Sequence, residues 1–194
     1  MDVVKKGVLV WSGEHWINYL RRPGVGRDSG MVSLYRTRQS AAGEGTAAFI
    51  DIPGDDGLTA LCTDNRDVAE LVLETMIRGR GTPFDRDMPV VDARITRGGD
   101  IRKNPSWTAR VGGREIVSTW RVAEPPVIMY GPAPSGVERI EIFSVLYFTN
   151  DASITVDGRS VVGEPYTRDI WRSSIGGDRS SSVFALAETI IRVG

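Results

Sequence analysis

The stretch at 154–162, ITVDGRSVV, constrains this chain more than any other. Two β-rich arms meet at Asp157-Gly158, a pair that tolerates positive φ and so closes a two-residue hairpin of type I′. Residues 106–122, SWTARVGGREIVSTWRV, repeat the device with Gly112-Gly113 at the turn. In the second arm Ile116, Ser118 and Trp120 fall on one face, and Glu115, Val117 and Thr119 on the other. Similar short runs recur at 31–38, 46–52, 58–63, 89–96, 126–130 and 139–149, and again at the end of the chain. Within 89–96, Val91, Ala93 and Ile95 alternate with Asp92, Arg94 and Thr96, the signature of a strand wet on one side.

So many strands, punctuated by tight turns, predict a mainly β fold. An antiparallel β-barrel or a two-sheet sandwich, with one or two helices, accounts for the pattern equally well. The 194 residues suit a single β-rich domain over 1–194. Two segments carry helical signals. Residues 63–81 have Asp64 as a cap, Val68, Leu71, Val72, Thr75 and Met76 along one stripe, and Gly79 as a stop, so a covering helix is expected near 64–79. Residues 12–20, SGEHWINYL, read as a short N-terminal helix capped by Ser12. In outline the strand pattern resembles that of lipocalin-like barrels. The short Gly-x-Trp signature of that family is absent, because Gly13-Glu14-His15-Trp16 has one residue too many.

The charge and residue counts exclude several classes of chemistry. Formal net charge is −1, which lacks the surplus of cations that nucleic acid requires. Cys62 is the single cysteine, so neither an intrachain disulfide nor a cysteine-based zinc site can form. His15 is the single histidine, which removes every multi-histidine metal site and leaves at most a catalytic dyad or triad. Residues 24–30, GVGRDSG, lack the spacing of a dinucleotide fingerprint and the lysine of a phosphate loop, and read as a surface loop. The acidic run at 51–56 lacks the spacing of a calcium loop. No cofactor or metal is called for. The apolar run at 7–11 is too short for a signal peptide, and no segment approaches the ~20 apolar residues of a membrane span. These features fit a soluble, cytoplasmic protein that engages neither membrane nor nucleic acid.

Five tryptophans are present. Trp supplies broad apolar area with one donor, and Trp107, Trp120 and Trp171 are candidates either for a β core or for the lining of a small-molecule cavity. The residue most out of place is Glu188. In strict alternation Phe184, Leu186, Glu188 and Ile190 share one face of the last strand, and both faces are apolar, as in a strand covered on both sides. A bare carboxylate there costs several kcal/mol, so it must be paired, protonated or facing a wet cavity. Three roles compete: an ion pair with an internal arginine, an anchor for a ligand, or a buried general acid or base. A β-bulge after Ala187 would turn Glu188 to solvent and remove all three roles.

The expected function is therefore the binding of a small apolar or amphipathic molecule in a Trp-lined cavity. Glu188 is its polar anchor, helped by Glu141, Tyr130, Tyr147 or an arginine. The alternatives are a cofactor-free hydrolase, lyase or isomerase using Glu188 or His15 for proton transfer, and an assembly module without a cavity.

Overall fold

A computed structural model describes residues 6–132 and 139–194. The first four strands, β1 (Gly7–Arg21), β2 (Asp28–Ser40), β3 (Gly45–Ile52) and β4 (Leu58–Thr63), form an antiparallel meander. Helix α1 (Arg66–Val72) follows, runs on into a π-helical turn at Leu73–Ile77, and leads through a loop to β5 (Val90–Asp92). Strands β6 (Arg94–Gly98), β7 (Ser106–Val111) and β8 (Arg114–Ala123) make a second meander. Strand β9 (Val127–Pro132), the long β10 (Ile140–Val156), the short β11 (Arg159–Ser160), helix α2 (Asp169–Ser174) and β12 (Ser182–Val193) complete the chain.

All but two of these strands join in the order β5-β4-β3-β2-β1-β12-β10-β8-β7-β6, with β9 and β11 attached to β10. Among the described strands only β4 and β5 pair in parallel. The sheet curls into a nearly closed mixed barrel, so the expectation of a mainly β barrel with two helices is met. Its curl is visible in the contacts. One core cluster takes Ala60 and Cys62 from β4 together with Ile95 from β6 and Trp107 from β7, strands near opposite ends of the sheet order. Arg114 of β8 likewise hydrogen-bonds the Gly57 carbonyl in the β3–β4 turn.

The barrel interior is filled. Trp16 and Trp120 are fully buried there and meet edge-on with ring centroids 5.1 Å apart, while Trp107 packs against Trp16 at 6.1 Å. A second core lies on the opposite face of the same strands. There Trp11, Ile17, Tyr19, Tyr35, Phe49 and Leu61 are covered by α1, the π turn and the loop that follows. β1 is thus buried on both faces. Its segment 12–20 is strand, not the short helix expected, because alternate residues serve two separate apolar cores and no wet face remains to show the period of two.

The covering helix is also corrected in detail. Asn65, not Asp64, caps α1, accepting from the amides of Asp67 and Val68 at 3.0 and 3.3 Å. Asp64 instead accepts from the Thr46 amide at 2.6 Å and ties the helix to β3. The turns behave as expected: Asp157 and Gly158 have φ of 50° and 77°, Gly112 and Gly113 of 56° and 80°. No helix is long and apolar enough to cross a membrane among the described residues.

Candidate functional site

Glu188 is 2% exposed, and a bulge decides what it faces. Gly13 pairs with Glu188 and His15 with Ala185; Ser144 pairs with Glu188 and Leu146 with Ala185. β12 therefore carries one extra residue, at Leu186–Ala187, against both neighbours. Phe184 and the half-buried Leu186 stay with the barrel interior, whereas Ala185 and Ile190 belong to the opposite core. The extra residue moves Glu188 away from the face of Phe184 that strict alternation assigned to it. It does not deliver the side chain to solvent, because that second face is covered by helix and loop.

The partner of Glu188 is a histidine. His15 Nδ1 lies 3.3 Å from Glu188 Oε1, and Ser144 Oγ donates to Oε2 at 2.9 Å. The other ring nitrogen of His15, Nε2, is 3.2 Å from Ser33 Oγ. Tyr35 stacks on the imidazole with centroids 4.0 Å apart and planes 18° from parallel. The approach of Nδ1 is close enough for charge pairing but not aligned as a hydrogen bond, and Oε1 is left with no hydrogen-bond partner. The ion pair with an internal arginine, the first of the three roles, is thus not the one that Glu188 makes. The carboxylate that arginines hold is Glu14, buried in the barrel, with Arg97 at 3.3 Å, Arg38 at 3.6 Å and the Trp16 indole donating at 3.0 Å.

Glu188, His15 and Ser33 all line one cavity of about 210 Å³. Its floor is the outer face of the sheet, with Ile17 and Tyr19 from β1, Tyr35 from β2 and Leu146 from β10. Its roof is the π turn and the loop Arg80–Phe84, and α2 closes one side with Trp171. The strand period places these side chains. His15, Ile17 and Tyr19 alternate on β1, and Ser33 and Tyr35 stand beside them on β2, where His15 pairs with Tyr35 and Ile17 with Ser33. Burial pushes the phenols of Tyr19 and Tyr35 up, and for Tyr35 the neighbouring Tyr19 and the Glu188 carboxylate add to the shift, while Ser33 acts against it in both. Both tyrosines stay neutral donors across the physiological range.

The remaining candidates divide. Trp171, 7% exposed, lines the cavity. Trp107 and Trp120 do not; they belong to the barrel interior, where the Trp120 indole donates to the Ile17 carbonyl at 2.8 Å. Tyr147 stacks on Phe184 at 5.2 Å on that interior side. Tyr130 is largely exposed on β9 and pairs in register with Phe143, while Glu141 sits near the start of β10, and neither lines the cavity. Cys62 is fully buried beside Ala60 in the barrel interior. Sequence reading missed Ser33, Tyr35, Arg80 and Arg168. Nothing in the local pattern marks them, since their relation to Glu188 exists only across strands and loops distant in the chain. Among the described residues no group of three or more His, Cys, Asp or Glu side chains is placed to hold a metal ion.

No protein-family model matches the chain, and no curated protein matches it either. The reading of the site rests on its own chemistry.

Proposed function

We propose that the protein binds a small, partly apolar molecule in the cavity beneath the 80–84 loop, with Glu188 as its polar anchor and His15 beside it. One observation carries this reading: a carboxylate 2% exposed keeps one oxygen without a hydrogen-bond partner on the wall of a cavity in which it is the lone carboxylate among the described residues. An unfilled acceptor in such a place costs about 1–3 kcal/mol or more, and a ligand donor would recover it. A cavity of ~150 Å³ lined by apolar side chains already accepts a benzene ring, so this one suits a ring or short chain bearing a polar group. Native mass spectrometry of the purified protein, before and after denaturation and organic extraction, tests it. A small molecule that leaves on extraction, and that is no longer retained by Glu188→Gln, supports the reading; equal retention by the variant removes Glu188 as the anchor.

A second reading, proton-transfer catalysis without a cofactor, draws on the placement of His15 between Ser33 and Glu188. An imidazole flanked by a hydroxyl and a carboxylate is the arrangement that general acid–base chemistry uses. Ser33 lies in the middle of β2, whose backbone is paired on both edges with β1 and β3. The strand therefore offers no spare amides for an oxyanion, which favours proton shuttling over acyl transfer. Turnover whose pH profile disappears in both His15→Gln and Glu188→Gln would separate this reading from simple binding.

A further inference from the structure

We infer that the ligand is an anion, a small molecule with a carboxylate at one end of an apolar body, and that Arg80 and Arg168 receive the acidic end. The inference rests on the binding reading above and adds a second contact to it: the acid end meets the arginines, while a hydrogen-bond donor at the other end of the same molecule meets Glu188. Four polar atoms buried without a hydrogen-bond partner belong to residues of this one cavity: Glu188 Oε1, Arg80 Nε, Thr82 Oγ1 and the indole Nε1 of Trp171. Arg80 Nε and Trp171 Nε1 can only donate, and the Thr82 hydroxyl can donate as well. Donors thus outnumber acceptors among the unfilled groups, and they lie on the roof and the α2 side, away from the strands that carry Glu188.

The charges agree. Arg80 and Arg168 both line the cavity, and neither forms an ion pair with a carboxylate of the described residues. Arg168 spreads over the Tyr19 ring, 4.6 Å from its centroid, and approaches Trp171 at 5.9 Å. It is held by aromatic faces, which orient a guanidinium without using its N–H groups. Most other arginines near this part of the fold are committed: Arg21 to Asp28, Arg86 to Asp51, Arg179 to Glu124. Among the described residues Glu188 is the one carboxylate that lines the cavity, and it is already approached by His15 and Ser144. A planar acid meets a guanidinium through paired N–H···O bonds, and the indole and hydroxyl beside it supply further donors. The apolar body of such a ligand would lie against Ile17, Ile142, Leu146 and Phe84.

Isothermal titration calorimetry with matched pairs tests this: 6-hydroxyhexanoate, 8-hydroxyoctanoate, 10-hydroxydecanoate and 3-(4-hydroxyphenyl)propionate, each against the alcohol in which a hydroxymethyl group replaces the carboxylate. At least one acid should bind about tenfold or more tighter than its alcohol. In Arg80→Gln/Arg168→Gln the acid should fall to the affinity of the alcohol, the alcohol should be unchanged, and a thermal melt should confirm that the variant is folded. Alcohols that bind as well as their acids would overturn the anion inference while leaving the cavity reading in place. An acid preference that survives in the double variant would overturn the assignment to these arginines. Binding of neither acids nor alcohols would overturn both this inference and the reading beneath it.

Discussion

His15 and Glu188 stand within 3.3 Å of each other on adjacent strands, and neither Gly13 nor Ala185, their paired neighbours, has a side chain large enough to intervene. The single histidine and the one carboxylate lining the cavity meet because β1 and β12, at the two ends of the chain, are neighbours at the centre of the sheet. Ser144 on β10 completes the pairing from the other edge of β12.

That three-strand arrangement implies a measurable coupling. Glu188→Gln should keep the fold but lower the unfolding free energy by about 1–2 kcal/mol, since a buried carboxylate is exchanged for an amide with poorer partners. Ser144→Ala should cost a similar amount, because Oε2 loses its donor. The double variant should cost less than the two together by about 0.5 kcal/mol or more, the signature of groups in one network. Urea denaturation of the four proteins measures the cycle, and strict additivity would mean that the two side chains do not share a bond.

The bulge at Leu186–Ala187 gives a sharper test. Ala187 is exposed, so its side chain contributes little to packing. Deleting it would remove the extra residue while Glu188 stays opposite Gly13 and Ser144, so Phe184, Leu186 and Glu188 would alternate regularly on the faces they already occupy. The deletion should therefore keep a cooperative transition and cost no more than about 2 kcal/mol, the loss of a local twist rather than the exposure of a buried charge. Ala187→Ser, which keeps the extra residue, should stay within about 0.5 kcal/mol of the parent. Loss of cooperative unfolding in the deletion variant would show that the register on the two sides of the bulge is not the one described.

These elements also show what the sequence could disclose. Alternation and the Asp157-Gly158 and Gly112-Gly113 turns were legible because each is local, and with them came the β class and several strand positions. The segment 12–20 was misread since Trp16, Asn18 and Leu20 face the barrel while Ile17 and Tyr19 face the covered side, and all five are buried. Glu188 was conspicuous for the right reason, a carboxylate among apolar neighbours. Its true face was hidden, because one extra residue in a strand leaves no mark in composition. Tryptophan counts say nothing about which side of a sheet each ring occupies, and so Trp107 and Trp120 could not be told apart from Trp171. The meeting of His15, Ser33 and Glu188 depends on strand order alone, which short-range patterns do not encode.

Gly13 is where backbone crowding protects the site. A Cβ built there would sit 1.9 Å from the Arg36 carbonyl oxygen, a distance that no side-chain adjustment can relieve. Gly13 pairs with Glu188 on one edge and with Thr37 on the other, next to a register shift in β2. Gly13→Ala should therefore cost about 2–4 kcal/mol, as overpacking against fixed backbone does, and shift the strand that carries His15. Gly26→Ala, in the β1–β2 loop with open space around it, should be neutral or slightly stabilising through the unfolded chain. Thermal melts of the two variants compare them directly, and similar melting temperatures would contradict the close approach of β1 and β2.

Cys62 reports on the barrel interior and sets the direction of an alkaline response. Burial pushes its thiol up to about 12, against about 8.5 for an exposed cysteine. Below the lower value both folded and unfolded chains hold the proton, and the contribution to stability is complete. Between the two values the unfolded chain releases its proton first, so stability falls as pH rises, by up to about 1.4 kcal/mol per pH unit from this group alone. The raised phenols of Tyr19 and Tyr35 add the same sign at higher pH. Unfolding free energies measured from neutral to alkaline pH should decline with a shallower slope in Cys62→Ala than in the parent. In neutral buffer a thiol-specific reagent should label Cys62 only at the rate of unfolding, and rapid stoichiometric labelling of the native protein would show that β4 does not face a closed barrel.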